Sequence, residues 1–342
     1  MTARANERLI ANWLTLCCLV ILGMILLGGV TRLTHSGLSM VEWRPLLGII
    51  PPLTEAEWMR VFNEYKLSPE YQLINFGMDL DGFKSIFLYE YLHRVLGRLI
   101  GLLYFLPLAY FWIKGRIPSD VKGRLVVFLI LGGCQGLLGW YMVKSGLVED
   151  PRVSQYRLAA HLGLAIFLYC CLVWLAFELH ARARGVQKHI QTAVSPYALG
   201  LVALVFIMAL SGALVAGTRA GFAYSTWPLM GNSFIPEGLY SITPWWRSIF
   251  EDITTVQFNH RMFAYLLVVI VGLFSFHLWR RALKLPAILV MTALSAQVVL
   301  GISALIMHVP VSIGAAHQVG AAILLTTLIF AERSLVWSAG RA

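Results

Sequence analysis

Eight apolar runs of about 20 residues recur along the chain, near Ile10–Val30, Leu88–Trp112, Leu125–Val143, Leu158–Phe177, Pro196–Gly217, Phe258–Trp279, Pro286–Met307 and Ile313–Phe330. As a helix, each is long enough to cross roughly 30 Å of hydrocarbon. A bilayer supplies no water to bond exposed backbone groups, so a spanning segment must satisfy its own N–H and C=O groups, as a helix does. The 342 residues are 58% hydrophobic and 13% charged, with a mean hydropathy of +0.73. That composition excludes an ordinary soluble domain. The expected fold class is an all-α polytopic membrane protein with eight transmembrane helices in contact with lipid. The first run is too long for the apolar region of a signal peptide, and no small-x-small cleavage site follows it, so it is expected to remain as helix one.

The net charge of +10 is unevenly spread. With the N-terminus inside, Lys and Arg outnumber Asp and Glu by 14 to 4 in the cytoplasmic segments, and outside they number 10 against 12 acids. This is the positive-inside bias of a membrane protein, and it places both termini in the cytoplasm. The basic excess is therefore read as topology, not as a nucleic-acid surface. Cys17, Cys18, Cys134, Cys170 and Cys171 all fall inside apolar runs. Neither a disulfide framework nor a thiolate metal site is expected from them.

The chain repeats itself. Gly28-Gly29-Val30-Thr31-Arg32 leading to Trp43-Arg44-Pro45-Leu46-Leu47-Gly48 is matched by Val215-Ala216-Gly217-Thr218-Arg219 leading to Trp227-Pro228-Leu229-Met230-Gly231. Glu90-Tyr-Leu-His93-Arg94 is matched by Gln257-Phe-Asn-His260-Arg261, Gln135-x-x-x-Gly139 by Gln297-x-x-x-Gly301, and Ala159-Ala160-His161 by Ala315-Ala316-His317. Four matches in one order predict a duplication into two pseudo-symmetric four-helix bundles. Residues 1–179 form the first, with a long outer loop at 34–87. Residues 180–195 form a basic cytoplasmic linker, and 196–342 form the second half, with an outer loop at 219–257. Long ordered loops of this kind usually cap or recognise something.

An even number of helices per half puts His93, His161, His260 and His317 at one membrane face, each in the first turns of its segment. Ligand-capable side chains inside a bilayer are costly and imply a function. Bis-histidine haem ligation needs two imidazoles facing each other across facing helices, which pairs His93 with His161 and His260 with His317. For any one of them an interhelical hydrogen bond is the alternative. Structural zinc fits less well, because only Glu90 lies near that depth as a further ligand type. Of the remaining histidines, His180, His189 and His277 are read as solvated on the inner side. His35 and His308 lie at the outer face, solvated or supporting a site.

Glu90 precedes His93 by three residues and shares its helix face. Its counterpart, Gln257, cannot ionise, so one pocket carries an acid–base group that the other lacks. The competing reading is an (i, i+4) pair with Arg94. Arg94, Arg98 and Arg261 are expensive within helices unless paired or snorkelling. Haem propionates or the outer interface would each serve Arg94 and Arg261. Gln135 and Gln297 are expected to bond across helices or to orient a histidine.

Taken together, the Glu90-x-x-His93-Arg94 phrase, His260-Arg261, the two Ala-Ala-His phrases and the Gly-Gly-x-Thr-Arg…Trp-x-Pro end of helix one resemble the haem A synthase family, over nearly the whole chain. The resemblance implies eight helices and oxidation of a ring methyl of haem O to the formyl of haem A. It further implies haem O held by His93 and His161, haem B held by His260 and His317, and Glu90 as the essential acid. It places the chain in an inner membrane, with haem sites toward the periplasm. The partners it implies are a haem O synthase, cytochrome oxidase assembly factors, an unidentified electron acceptor and a second copy of the chain. Some members carry paired cysteines in the outer loops. This chain has none there and is similar to the cysteine-free subgroup. Two other classes fit parts of the pattern. A two-haem electron-transfer cytochrome would need the same histidines, and a repeat-built transporter would place its polar site near the midplane.

Overall fold

The computed structural model describes residues 2–42, 50–147, 151, 153–186 and 195–336. Eight of its helices are long and apolar enough to cross a membrane: α1 (Ala3–Leu33), α4 (Leu80–Ile113), α5 (Ser119–Gly146), α6 (Gln155–Ala183), α7 (Ser195–Thr218), α9 (Ile253–Arg280), α10 (Lys284–Ile306) and α11 (Val311–Val336). Three short helices lie in the long connections, α2 (Glu55–Lys66), α3 (Pro69–Leu73) and α8 (Ser248–Glu251). The spans keep large apolar side chains on their outer faces, such as Leu99, Leu102, Phe105 and Leu106 of α4 and Leu266, Val269, Leu273 and Phe276 of α9. In water such faces would be a liability; in lipid they match their solvent.

α1, α6, α7 and α11 form the centre. α1 packs on α4, α6 and α11, while α7 packs on α9, α11 and α6. α5 lies against α6 and α4, and α10 against α11 and α9. One continuous apolar core runs through these contacts, with Leu14, Ile166, Leu172, Leu179, Leu325 and Leu328 buried at its middle.

Local sequence sets the helix starts. Asp79 caps α4 by accepting the Gly82 N–H at 2.8 Å, and Asp252 caps α9 by accepting from the Thr255 N–H at 2.6 Å. Thr54 and Glu57 form a reciprocal capping box at α2. The caps move two boundaries. α4 begins at Leu80, not Leu88, so His93 lies over three turns inside it instead of in its first turns. The added turns carry Phe83, Ile86 and Phe87 into a second apolar cluster with Phe62 and Tyr65 of α2. Phe83 stacks on both of these rings at 5.0 Å. The long outer loop expected over 34–87 thus contains α2, α3 and the first turns of α4. α6 runs on to Ala183, so His180 is helical and half-buried, 3.1 Å from Thr15 Oγ1, rather than solvated in a linker. His277 and His308 are exposed as expected. The Trp43–Gly48 half of the repeat, His189 and residues 187–194 of the linker lie outside the described residues.

Candidate haem-binding cavity

The C-terminal ends of α1, α5, α7 and α10 and the entry turns of α4, α6, α9 and α11 meet at one end of the bundle, together with α2, α3 and α8. The four histidines all lie there. Each imidazole rests on a glycine of a neighbouring helix. A Cβ built at Gly28 of α1 would stand 3.1 Å from His93 Cε1, and one at Gly139 of α5 would stand 2.9 Å from His161 Cε1. In the second half, a Cβ at Gly212 of α7 would be 3.3 Å from His260 Cε1, and one at Gly301 of α10 would be 2.8 Å from His317 Cε1. Carbon atoms prefer about 3.5–4.0 Å, so any side chain at the two tightest positions would displace a ring. The glycines of the Gln-x-x-x-Gly phrases therefore make room for histidines, a role that sequence reasoning missed. The repetition of Gly139 and Gly301 was its visible signal.

A cavity of about 1470 Å3 opens at this end of the bundle. It exceeds the roughly 300–1,000 Å3 of an ordinary small-molecule site. His93, His161, Glu90, Arg94, Arg98 and Gln135 line it, as expected for one pocket of the first half. Residues 216–219 at the end of α7, Glu251 and Gln318 line it too. The second half thus supplies part of the wall, which the division into two separate pockets did not foresee.

The ring nitrogens of the four imidazoles are unevenly engaged. His93 Nδ1 and His317 Nδ1 are buried without a hydrogen-bond partner. His260 Nδ1 lies 3.1 Å from Ser211 Oγ. Gln135 Nε2 sits 3.2 Å from His161 Nδ1 and donates to the His161 carbonyl at 3.1 Å, so it both crosses between helices and orients the ring. Orphaned buried donors and acceptors are rare in folded chains. Ring nitrogens left over in glycine-lined niches fit a porphyrin iron as partner. No cluster of three or more His, Cys, Asp or Glu side chains among the described residues is placed to hold a bare metal ion.

Glu90, 3% exposed, is fully engaged. Arg94 donates to one carboxylate oxygen, while Ser39 Oγ at 2.7 Å and the Met40 N–H at 2.8 Å donate to the other. The ion pair weighed against catalysis is therefore present, and it pins residues 39–42 to α4. Arg94 also donates to the carbonyls of Met40 at 2.9 Å and Glu42 at 3.3 Å. In the second half Arg261 donates to the carbonyls of Tyr224, Thr226 and Leu229 at 2.9–3.1 Å, and Gln257 Nε2 to that of Tyr224 at 3.0 Å. Both arginines spend donors on loop carbonyls, and Arg261 is 8% exposed. Snorkelling to an interface does not describe them. The acid-to-amide exchange follows the loops: the first presents an N–H and a hydroxyl, the second a carbonyl.

Glu70 of α3 was not singled out by sequence reasoning. It is 4% exposed, lines the cavity and leaves Oε2 unpartnered. Burial, with Glu90 nearby, pushes its carboxyl up to about 8. A carboxyl raised in the folded state withdraws stability as pH climbs from the ordinary carboxylate value to the raised one, and the loss is complete above it. Glu70→Gln should therefore melt like wild type near pH 4 and gain a few degrees by pH 9. Equal melting curves across that range would show that Glu70 ionises freely.

Comparisons with known proteins show the family. The family model described as cytochrome oxidase assembly protein, COX15-CtaA, matches residues 11–329. The chain belongs to this family. It is 45% identical over 340 residues to the "Heme A synthase" of Nitrosospira multiformis, covering 97% of this chain and 94% of that one. The "Heme A synthase" of Paramagnetospirillum magneticum is 46% identical over 340 residues, covering 97% and 95%. The human "Heme A synthase COX15" is 43% identical over 346 residues, covering 98% of this chain and 84% of that protein. Like its relatives in this cytochrome oxidase assembly family, the chain is matched over nearly its full length, and all four histidines and Glu90 fall inside the matched region.

Proposed function

We propose that this protein is a haem A synthase, an oxidoreductase that converts the methyl group of haem O to the formyl group of haem A for terminal oxidases. The single observation that carries the reading is the asymmetry of two otherwise matched histidine pairs. His93 and His161 open on a large cavity with an acid in its wall, whereas the niche of His260 and His317 has Gln257 at the matching position. His93 and His161 would hold the substrate iron. His260 and His317 would hold haem B, which supplies a one-electron relay when bound. Glu90, three residues from His93, is the group that takes a proton as the methyl carbon is oxidised. Arg94 and Ser39 hold its carboxylate in position. Gln135 fixes the His161 ring, and the aromatic cap of α2 and α3 covers the end at which the substrate enters. The acceptor that finally takes the electrons is a separate redox partner.

The recurring neighbour pattern, α1 with α4 and α6 beside α7 with α9 and α11, supports descent of both halves from one four-helix unit. The charge bias of the connections supports a multi-pass inner-membrane protein with cytoplasmic termini and haem sites toward the periplasm. Supply of haem O and use of haem A point to a haem O synthase and oxidase assembly factors as working partners, and a second copy of the chain is a further candidate.

The test is expression with a source of haem O, followed by chromatography of the extracted porphyrins. Haem A should accumulate together with haem B, and His93→Ala should abolish haem A while haem B stays. Recovery of haem B alone from the intact protein would favour a two-haem electron-transfer cytochrome.

A further inference from the structure

Haem propionates were one of two expectations for Arg94 and Arg261; several of their donors go to loop carbonyls and, for Arg94, to Glu90, while Arg261 Nε is buried without a partner. Two further arginines stand at the cavity beside Arg94 and Arg98. Arg32 lies in the last turn of α1 and Arg219 follows α7. They are the matching residues of the repeated Thr31-Arg32 and Thr218-Arg219 phrases, one from each half, and both line the cavity. Their own bonds are few. Arg32 Nη2 donates to the Ala216 carbonyl at 3.3 Å, its Nε is buried without a partner, and Arg219 Nη2 reaches His35 Nδ1 at 3.5 Å. Neither has a carboxylate within 4.0 Å among the described residues.

The heights agree with a porphyrin edge. Gly28, which faces His93, and Arg32 are an (i, i+4) pair on one face of α1. At 1.5 Å per residue, Arg32 stands about 6 Å beyond the imidazole level, toward the open end. Arg98 lies on the other side of that level, deeper along α4. Arg219 and His35 both adopt left-handed backbone, at φ 58° and 55°. Such a conformation is uncommon for residues other than Gly, Asn or Asp, and clusters where a side chain must be aimed. Two guanidinium groups brought to one mouth repel each other unless an anion joins them. Glu70, also in the cavity wall, acts on both through space but makes no ion pair with either.

We propose that Arg32 and Arg219 form a carboxylate clamp that grips the propionate side chains of the porphyrin held by His93 and His161. The proposal rests on reading the cavity as a haem pocket. The clamp joins the halves, since Arg32 comes from the first and Arg219 from the second. It also sets the orientation of the macrocycle, because a ring with carboxylates on one edge can enter only with that edge outward.

The test titrates detergent-solubilised protein with haem O and with haem O dimethyl ester, whose propionates carry no charge, and reads ligation from the optical spectrum. Wild type should bind the free acid roughly tenfold more tightly than the ester, the effect of about one charge-assisted hydrogen bond. Arg219→Gln and Arg32→Gln should each weaken binding of the acid and leave the ester unchanged, so that discrimination shrinks. Arg219→Lys should restore part of it. An intact spectrum of the haem between His260 and His317 certifies that each variant is folded. Equal affinity of wild type for acid and ester, or an equal loss of both in the variants, would overturn the clamp while leaving the haem pocket standing. Failure of either ligand to bind at His93 and His161 would remove the pocket itself.

Discussion

Gly301→Val should empty the second histidine pair of haem, lowering haem B content at least tenfold, while Gly139→Val should do the same to the substrate pair. At these two positions even a Cβ would lie inside 3.0 Å of an imidazole carbon, at 2.8 Å from His317 and 2.9 Å from His161. The rings must move by more than half an ångström, whereas functional constellations tolerate displacements of about that size and no more. The substitution removes no ligand and does not weaken the helix, since Val has the better helix propensity. Loss of haem would therefore report the lost niche alone. Gly272 of α9, with nothing within 4 Å of a built Cβ, is the control, and Gly272→Val should keep its haem. The measurement is the porphyrin-to-protein ratio with the low-spin optical spectrum. Full haem content in Gly301→Val would mean that His317 does not use the observed niche as a ligand.

Glu90→Gln should lower haem O conversion a hundredfold or more, within the range of general acid–base catalysis, with substrate binding retained. The same carboxylate also pins residues 39–42, so loss of activity by itself would not separate chemistry from loop placement. Ser39→Ala separates them. It removes the 2.7 Å donor to Glu90 and keeps the acid, and should reduce conversion only severalfold. In Glu90→Gln the carbonyl oxygen of the new amide can still accept from the Met40 N–H, so the loop keeps part of its anchor. In the second half, Gln257→Glu should leave conversion unchanged, because no substrate methyl is oxidised there. Equal rate losses in Glu90→Gln and Ser39→Ala would assign Glu90 to positioning.

Much of the fold was legible because a bilayer admits few solutions. Eight apolar runs could only become helices, and the starts of α4 and α9 shifted where Asp79 and Asp252 supply caps that hydropathy does not register. His93 moved inward by about two turns for this reason, yet its level in the bundle still matches that of His161, since Gly28 and Gly139 each lie five to seven residues from a helix end. Glu90 and the histidines were legible as costly residues inside apolar segments. Glu70, Arg32 and Arg219 were not, since charged residues in a connecting loop or at a helix end have a ready explanation in solvent. Arg94 and Arg261 were legible as unusual, but their partners were not: a backbone carbonyl carries no signature in sequence.

The amino-acid order by itself determined the number of spans, the repeat and the four imidazoles, because burial in lipid penalises every polar exception and so marks it. Only the tertiary structure decided that glycines of neighbouring helices make the space for those rings, and that the end of α7 completes a cavity begun by the first half. It also decided that Arg94 and Arg261 tie down loops while Arg32 and Arg219, one from each half, meet at the cavity. These depend on distances between residues far apart in the chain, which pattern and period cannot encode.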